Sequence, residues 1–292
     1  MGLLRCLLFV PGTDRKKIDK AFTLNTDAVI MDLEDAVAMS EKNTARQVVG
    51  KIIKSPALPV TYVRVNAVTS PYILADLQTA VQPGLSGIMV AKTETAEEVR
   101  QADWLIGLLE AERNIPGGTL DLIPFIESAR GIENASEIAA ACSRIKRLAF
   151  GGNDYTADTW TTYSEEGIEL FYARAKLIAA SRMAGIEPPL DTVCPFIKNI
   201  ETLRKDARRA RKMGFQGKLV IHPSQISPIM ETFSPTPEEV AAAEKIVAAF
   251  NNAESQGTGV IQLDGKMVEY PIVDRARQIL TAAREIKKNT GE

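Results

Sequence analysis

The chain has 292 residues, 45% of them hydrophobic and 25% charged, with a formal net charge of −2. This balance suits a globular chain with a sizeable core and carries no electrostatic footprint for nucleic acid or an anionic membrane. No apolar run approaches the about 18 residues of a membrane span. Met1 to Val10 is apolar but short, is stopped by Pro11-Gly12, and reads as a first strand rather than a secretion signal.

Leu3 to Val10 is strand one, and Asp14 to Leu24 has helical spacing at Ile18, Ala21 and Phe22. Ala28 to Met31 is strand two and runs into Asp32-Leu-Glu-Asp-Ala36. A helix from about Ser40 to Lys54 follows. Val60 to Val65 is strand three, with Arg64 near its end. Residues 71–81 read as a helix, Gly87 to Val90 as strand four, and Ala96 to Arg113 as a long helix. Leu120 to Ile126 is strand five, continuous enough in apolar residues to be covered on both faces. Glu127 closes it, and Asn134 to Ala141 reads as the next helix. Arg147 to Phe150 is strand six, running into Gly151-Gly-Asn-Asp154. A helix over Glu166 to Ala184, capped by Gly185, leads to strand seven at Asp191 to Val193. Asn199 to Met213 is a basic amphipathic helix ended by Gly214. Leu219 to Ile221 is strand eight, and Ser224 to Glu231 a short helix.

Eight strand-then-helix units in about 230 residues have the size of a TIM (β/α)8 barrel. The rival, a doubly wound sheet, usually carries a glycine-rich phosphate loop, and none is seen. The expected division is a barrel over residues 1–233 and a C-terminal extension over 234–292. In the extension, Glu238 to Asn251 and Val273 to Lys287 are helical, and Ile261 to Val268 forms a hairpin around Asp264-Gly265.

In a barrel of this kind, ligands bind at the carboxyl ends of the strands. Glu127 and Asp154 stand at two successive strand ends. Either they hold a divalent cation together, or Glu127 caps a helix and Asp154 is a turn residue. Asp32, Glu34 and Asp35 follow strand two and read as holders of metal-bound water, or as a solvated turn. Arg64 suits a bidentate clamp on a substrate carboxylate or enolate, or a surface ion pair. Lys92 is a Schiff-base candidate, or an ion-pair partner of Glu94. His222 is the one histidine of the chain. It is expected to be packed or bonded to backbone, and its solitude excludes multi-histidine metal sites. A bound metal would therefore have oxygen ligands, favouring magnesium or manganese. Trp104 and Trp160 are expected in the core or a lid, and Arg204 to Lys212 on a solvated helix face. Cys6, Cys142 and Cys194 are widely spaced and form neither a zinc pattern nor a disulfide framework. The cytoplasm is the expected compartment.

A series of short motifs resembles the citrate lyase β-subunit family, within the HpcH/HpaI aldolase superfamily that includes malyl-CoA and citramalyl-CoA lyases. They are Arg5-Cys-Leu-Leu-Phe-Val-Pro-Gly12, Asp32-Leu-Glu-Asp-Ala-Val37, Val63-Arg-Val-Asn66, Lys92-Thr-Glu94, Ile126-Glu-Ser128 with Gly131-Ile132, Gly151-Gly-Asn-Asp154, Gly217-Lys-Leu-Val-Ile-His-Pro223 and Asp264-Gly-Lys-Met-Val268. They span essentially the whole chain in family order. The resemblance implies a TIM barrel with a C-terminal extension, assembled as a homotrimer or hexamer. It implies that Glu127 and Asp154 ligate Mg2+ (or Mn2+) and that Glu34 and Asp35 hold metal-bound water. Arg64, Gly152 and Asn153 would bind substrate, and Arg15 and Lys20 would meet the thioester carrier. Relatives with lyase activity carry an aspartate after Lys-Met-Val, delivered to a neighbouring subunit's site. Here that position is Glu269. Val193-Cys-Pro-Phe196 also departs from relatives, which often have a tyrosine and an acid there.

The implied activity is a magnesium-dependent retro-Claisen carbon–carbon lyase. It would cleave a citryl-, malyl- or citramalyl-type thioester of CoA or an acyl-carrier protein to an acetyl thioester and a 2-oxo acid. Rival readings are an acyl-CoA thioester hydrolase, a CoA-free 2-oxo-acid aldolase, and a non-catalytic thioester binder or partner-dependent subunit.

Overall fold

The computed structural model describes residues 3–55 and 58–290. Eight parallel strands close into a barrel in sequence order, the first pairing with the last, which excludes the doubly wound sheet. The first half runs β1 (Cys6–Pro11), α1 (Arg15–Ala21), β2 (Ala28–Asp32), α2 (Lys42–Ile53), β3 (Thr61–Val65), α3 (Ile73–Ala80), β4 (Gly87–Val90) and α4 (Ala96–Glu112). The second half runs β5 (Asp121–Ile126), α5 (Ala129–Glu133), α6 (Ala135–Ala139), β6 (Ala149–Phe150), α7 (Gly152–Asp158), α8 (Phe171–Met183), β7 (Leu190–Asp191), α9 (Ile200–Met213), β8 (Gly217–Val220) and α10 (Ile226–Phe233). The lumen is filled, not open. Leu7, Ile30, Tyr62, Met89, Ile123 and Leu219 pack there from different strands and are at most 1% exposed.

The chain divides after Met230. The unit beyond it consists of α11 (Pro237–Glu254), the antiparallel pair β9 (Val260–Leu263) and β10 (Lys266–Glu269), and α12 (Tyr270–Thr290). It has its own small core of Phe250, Val268 and Val273. Thr236 and Glu239 form a capping box that starts α11. No helix among the described residues is long and apolar enough to cross a membrane.

Four elements differ from the sequence expectation. The expected helix over Asn134 to Ala141 is instead two one-turn helices meeting at Asn134, whose amide donates to the Glu94 carbonyl at 2.9 Å. Strand seven ends at Asp191, two residues early, because Thr192 leaves the ladder and bonds the backbone of Gly152. Gly151-Gly-Asn-Asp154, where a turn at Asp154 is one of the two readings, opens the helix α7. The helix expected from Glu166 begins at Phe171, after Gly167 takes a left-handed φ of 59° and Ile168–Leu170 forms a single 3-10 turn. The tryptophans are not core residues: Trp104 is 65% exposed and Trp160 95%.

Charges are also buried within the barrel unit. Arg174 bonds both oxygens of Asp191, at 2.9 Å each, and reaches Asp206 at 2.8 Å. Lys218, with no exposed surface, pairs with the same two carboxylates. This alternating quartet ties α8, α9, β7 and β8 together. The basic residues of α9 are exposed or half-exposed, while Asp206 on the same helix points into the quartet.

Candidate active site at the strand ends

Arg64, on β3, is buried and its fork is already engaged. Nε and Nη2 donate to the two oxygens of Asp32 at 2.7 and 2.6 Å. The guanidinium packs against the adjoining rings of Phe9 and Phe125, with ring centroids 4.8 and 5.6 Å from its carbon. Nη1 reaches Glu34 at 3.2 Å. Burial opposes the arginine's charge, but Asp32, Glu34 and Glu127 outweigh it and hold the guanidinium protonated. The clamp expected at Arg64 thus keeps one edge for Asp32 and leaves the Nη1 side toward the mouth.

Asp32 does not act with Glu34 and Asp35 as a three-acid group. It is wholly buried, and besides Arg64 it accepts the N–H groups of Glu34 and Ala36, at 2.9 and 3.1 Å. Glu34 and Asp35 instead meet Lys92, whose ammonium lies 2.6 Å from Glu34 and 3.2 Å from Asp35. Burial raises the Glu34 carboxyl above its ordinary range, offset by Arg64 and Lys92. Burial acts on Asp35 in the same sense, but Glu34, Arg64 and Lys92 outweigh it and hold it low.

Lys92 follows β4 with a left-handed φ of 50°, costly for a side chain with a Cβ. That backbone turn aims its N–H at Glu127 Oε1, 2.7 Å away, while its side chain turns to Glu34. Lys92 therefore does not pair with Glu94, which instead takes Ser128 at 2.7 Å and Arg130 at 3.6 Å. Burial disfavours the Lys92 charge, but Glu34 and Asp35 more than compensate, so the amine is held protonated. A Schiff-base lysine needs the opposite shift.

Glu127 ends β5 and is buried, yet its Oε2 has no hydrogen-bond partner among the described residues. Burial and the neighbouring Asp154 carboxyl push Glu127 well above the ordinary carboxylate range, against Arg64 and the Lys92 N–H. Asp154 is half-buried in the first turn of α7. Two carboxylates facing each other, one with an orphaned buried oxygen, fit a hard divalent cation. No larger group of His, Cys, Asp or Glu suited to a metal occurs among the described residues. Waters and substrate oxygens would complete the shell, as Mg2+ usually requires.

The remaining sequence candidates fall elsewhere. The N–H of Gly152 is spent on Thr192 Oγ1 at 2.7 Å, so Gly152 seats α7 rather than offering a free donor. Asn153 is exposed beside it. Arg15 pairs with Asp19 on the outer face of α1, at 2.8 and 2.9 Å, and Lys20 is exposed on the last turn of that helix. Glu269 closes β10 in the second unit, opposite Val260. His222 is exposed and accepts the Ser224 N–H at 3.2 Å, a local cap with no carboxylate partner among the described residues. The sequence reading missed Lys42, buried and donating to the carbonyls of Leu33 and Glu34 at 2.7 Å each and to Asn66 Oδ1 at 2.9 Å. A lone lysine on a helix carries no local signal for such a role.

Carboxylates at the ends of β5 and β6 and a buried arginine on β3 thus come together at the strand ends of an eight-stranded barrel, the arrangement a metal-assisted active site would need. The chain belongs to the HpcH/HpaI aldolase/citrate lyase family, whose model matches residues 5–223; that of the C-C bond lyases of the TIM-barrel fold matches residues 168–285. The citrate lyase subunit beta of Haemophilus influenzae is 38% identical, covering 97% of this chain and 98% of its own. The mitochondrial citramalyl-CoA lyase of Rattus norvegicus is 34% identical, over 97% and 87%. The structure of CitE from Mycobacterium tuberculosis, in complex with magnesium, acetoacetate and coenzyme A, aligns with a TM-score of 0.80 at 29% identity, covering 97% of this chain and 98% of its own.

Proposed function

We propose that this enzyme is a Mg2+-dependent carbon–carbon lyase cleaving a 3-hydroxy-3-carboxyacyl thioester to an acetyl thioester and a 2-oxo acid. The observation that carries this reading is the orphaned Oε2 of Glu127 beside Asp154, at adjoining strand ends and next to the Arg64 guanidinium. Glu127 and Asp154 hold the cation, and Glu34 and Asp35 hold its waters. When bound, the cation supplies Lewis-acid stabilisation of the oxygen that becomes the 2-oxo group. Arg64 grips the oxo-acid fragment through its Nη1 side, positioned by Asp32 and the two phenylalanines. The hydroxyl proton leaves to solvent, the C–C bond breaks, and Glu269 protonates the enolate carbon of the departing thioester. In this reading Glu269 comes from a neighbouring subunit of a homotrimer or hexamer, the arrangement that the family resemblance implies. Gly152 seats α7, Asn153 lines the mouth, and Arg15 and Lys20 meet the carrier, CoA or an acyl-carrier protein. Three unpaired cysteines suit a reducing compartment, and the reading sets the enzyme in the cytoplasm.

The test is a small panel of citryl-, malyl- and citramalyl-CoA with and without Mg2+, reading oxo acid and free thiol separately. Magnesium-dependent oxo-acid release supports the lyase. Free thiol without oxo acid would make the protein a thioesterase.

A further inference from the structure

Thr192 belongs to no motif singled out in the sequence, and it has no exposed surface. It is the residue after β7, and its Oγ1 accepts the N–H of Gly152 at 2.7 Å, across to the end of β6. Gly152 is the first residue of α7, and Asp154 lies in that first turn. The approach is close: a Cβ on Gly152 would stand 2.9 Å from both Cγ2 and Oγ1 of Thr192. Gly152 is therefore pressed onto Thr192 by contact as well as by hydrogen bond. The threonine is itself anchored, since the preceding Asp191 is locked by Arg174 and Lys218. The helix carrying Asp154 thus rests on a fixed post built from β7 and β8. The opposite ligand, Glu127, is fixed separately by the Lys92 N–H. Seven residues of helix have little rigidity of their own. Gly151 ties the start of α7 to Ile126 of β5 and Asp158 ties its end to the Ala129 N–H, while the Thr192 contact supports the first turn, which carries Asp154, from the β7 side.

We infer that Thr192 is a positioning residue for cation binding: its hydroxyl sets the height of α7 and thereby holds Asp154 opposite Glu127. The inference rests on the reading of Glu127 and Asp154 as the cation ligands. Outer hydrogen bonds that orient metal ligands typically change affinity by about 10- to 100-fold when removed.

The test is Mn2+ affinity of the full-length, metal-stripped protein, measured by electron paramagnetic resonance with Mn2+ alone. Thr192→Val keeps the shape and removes the acceptor, and is expected to weaken Mn2+ at least about tenfold. Thr192→Ser keeps the oxygen and is expected to restore affinity to within about threefold of wild type. Ile138→Val, a core substitution on α6, controls for general loosening and is expected to leave affinity unchanged. Should Thr192→Val fail to fold, Gly152→Ala, which pushes α7 off the same post, must give the loss instead. Wild-type affinity in the folded Val variant, or equal losses in the Ile138 control, overturns the role of Thr192 alone. No Mn2+ binding by wild type, or binding that survives Glu127→Gln with Asp154→Asn, overturns the ligand assignment and this inference with it.

Discussion

Asp32 takes both the Nε and the Nη2 of Arg64, at 2.7 and 2.6 Å, so the most prominent cation at the barrel mouth is half spent on the protein itself. The bidentate bond, with the rings of Phe9 and Phe125 packed against the guanidinium, fixes the one guanidinium nitrogen that still faces the carboxylates of the site. A lysine could supply the charge but neither the fork nor the stack. Arg64→Lys should lower kcat/KM by at least about a hundredfold, the scale of misplacement by about an ångström. Asp32→Asn leaves the buried guanidinium underpaired and should cost about 3–5 kcal/mol of stability. Steady-state kinetics and urea unfolding measure the two effects. An active Arg64→Lys enzyme would remove the arginine from substrate binding.

Glu127→Gln should abolish Mg2+ binding by calorimetry, and Asp154→Asn should do the same. The metal-free Gln variant should also be more stable than wild type at pH 8. The folded-state pKa of Glu127 is raised. Its contribution to stability is therefore present below the ordinary glutamate value and lost as pH rises through the raised one. Gln carries no such loss, and one pKa unit corresponds to about 1.4 kcal/mol. Unfolding curves from pH 5 to pH 8 should therefore converge at the acidic end and diverge at the alkaline end.

Borohydride treatment in the presence of a 2-oxo acid should leave the protein mass unchanged. The Lys92 amine is held protonated by Glu34 and Asp35 and has no lone pair to offer a carbonyl. A stable adduct mapped to Lys92 would replace the metal-assisted reading with imine chemistry.

The quartet of Arg174, Asp191, Asp206 and Lys218 should govern acid stability. Asp206 is held far below the usual carboxylate range: burial opposes this, but Lys218 and Arg174 outweigh it. A depressed folded pKa gives stability that is present above the unfolded value, about 3.9, and lost as pH falls toward the folded one. Urea midpoints of wild type should thus drop steeply below about pH 4. Asp206→Asn should start lower at neutral pH and show a shallower acid slope. Lys218→Met should be worse, by about 3–5 kcal/mol, because two carboxylates lose a shared buried partner.

Glu269→Gln should nearly eliminate turnover while leaving Mg2+ affinity intact, and Glu269→Asp should retain activity. Mixing Glu269→Gln with Arg64→Ala protein and reassembling the oligomers should recover part of the activity if the carboxylate crosses a subunit boundary. Full activity of Glu269→Gln alone would make this carboxylate a bystander.

Most strands, and the positions of Glu127 and Arg64 at their ends, were legible because a buried parallel strand leaves an unbroken apolar run. α7 was not legible: Gly151-Gly152 reads as a turn by local propensity. The helix starts there because Gly152 bonds Thr192 forty residues away, a long-range contact with no local trace. The same limit hid Lys42, whose role comes from three acceptors on the β2 loop and Asn66. Asp32 was grouped with Glu34 and Asp35 by adjacency. Direction along the chain separates them, since Asp32 lies in the ladder beside Arg64 and the other two lie beyond it. The core alternative for the tryptophans fails because aromatic size suggests burial, while both stand on the surface.

Gly151 and Gly152 leave evolution little freedom on one wall of the mouth. Any Cβ at Gly151 would come within 2.7 Å of the free oxygen of Glu127, and one at Gly152 within 2.9 Å of Thr192. A lineage adapting this scaffold to a bulkier or smaller acid cannot tune that wall by substitution without disturbing the ligand pair. Acquired selectivity must arise on other loops, and a directed-evolution library is better spent on residues 159–167 and 193–198 than on this diglycine.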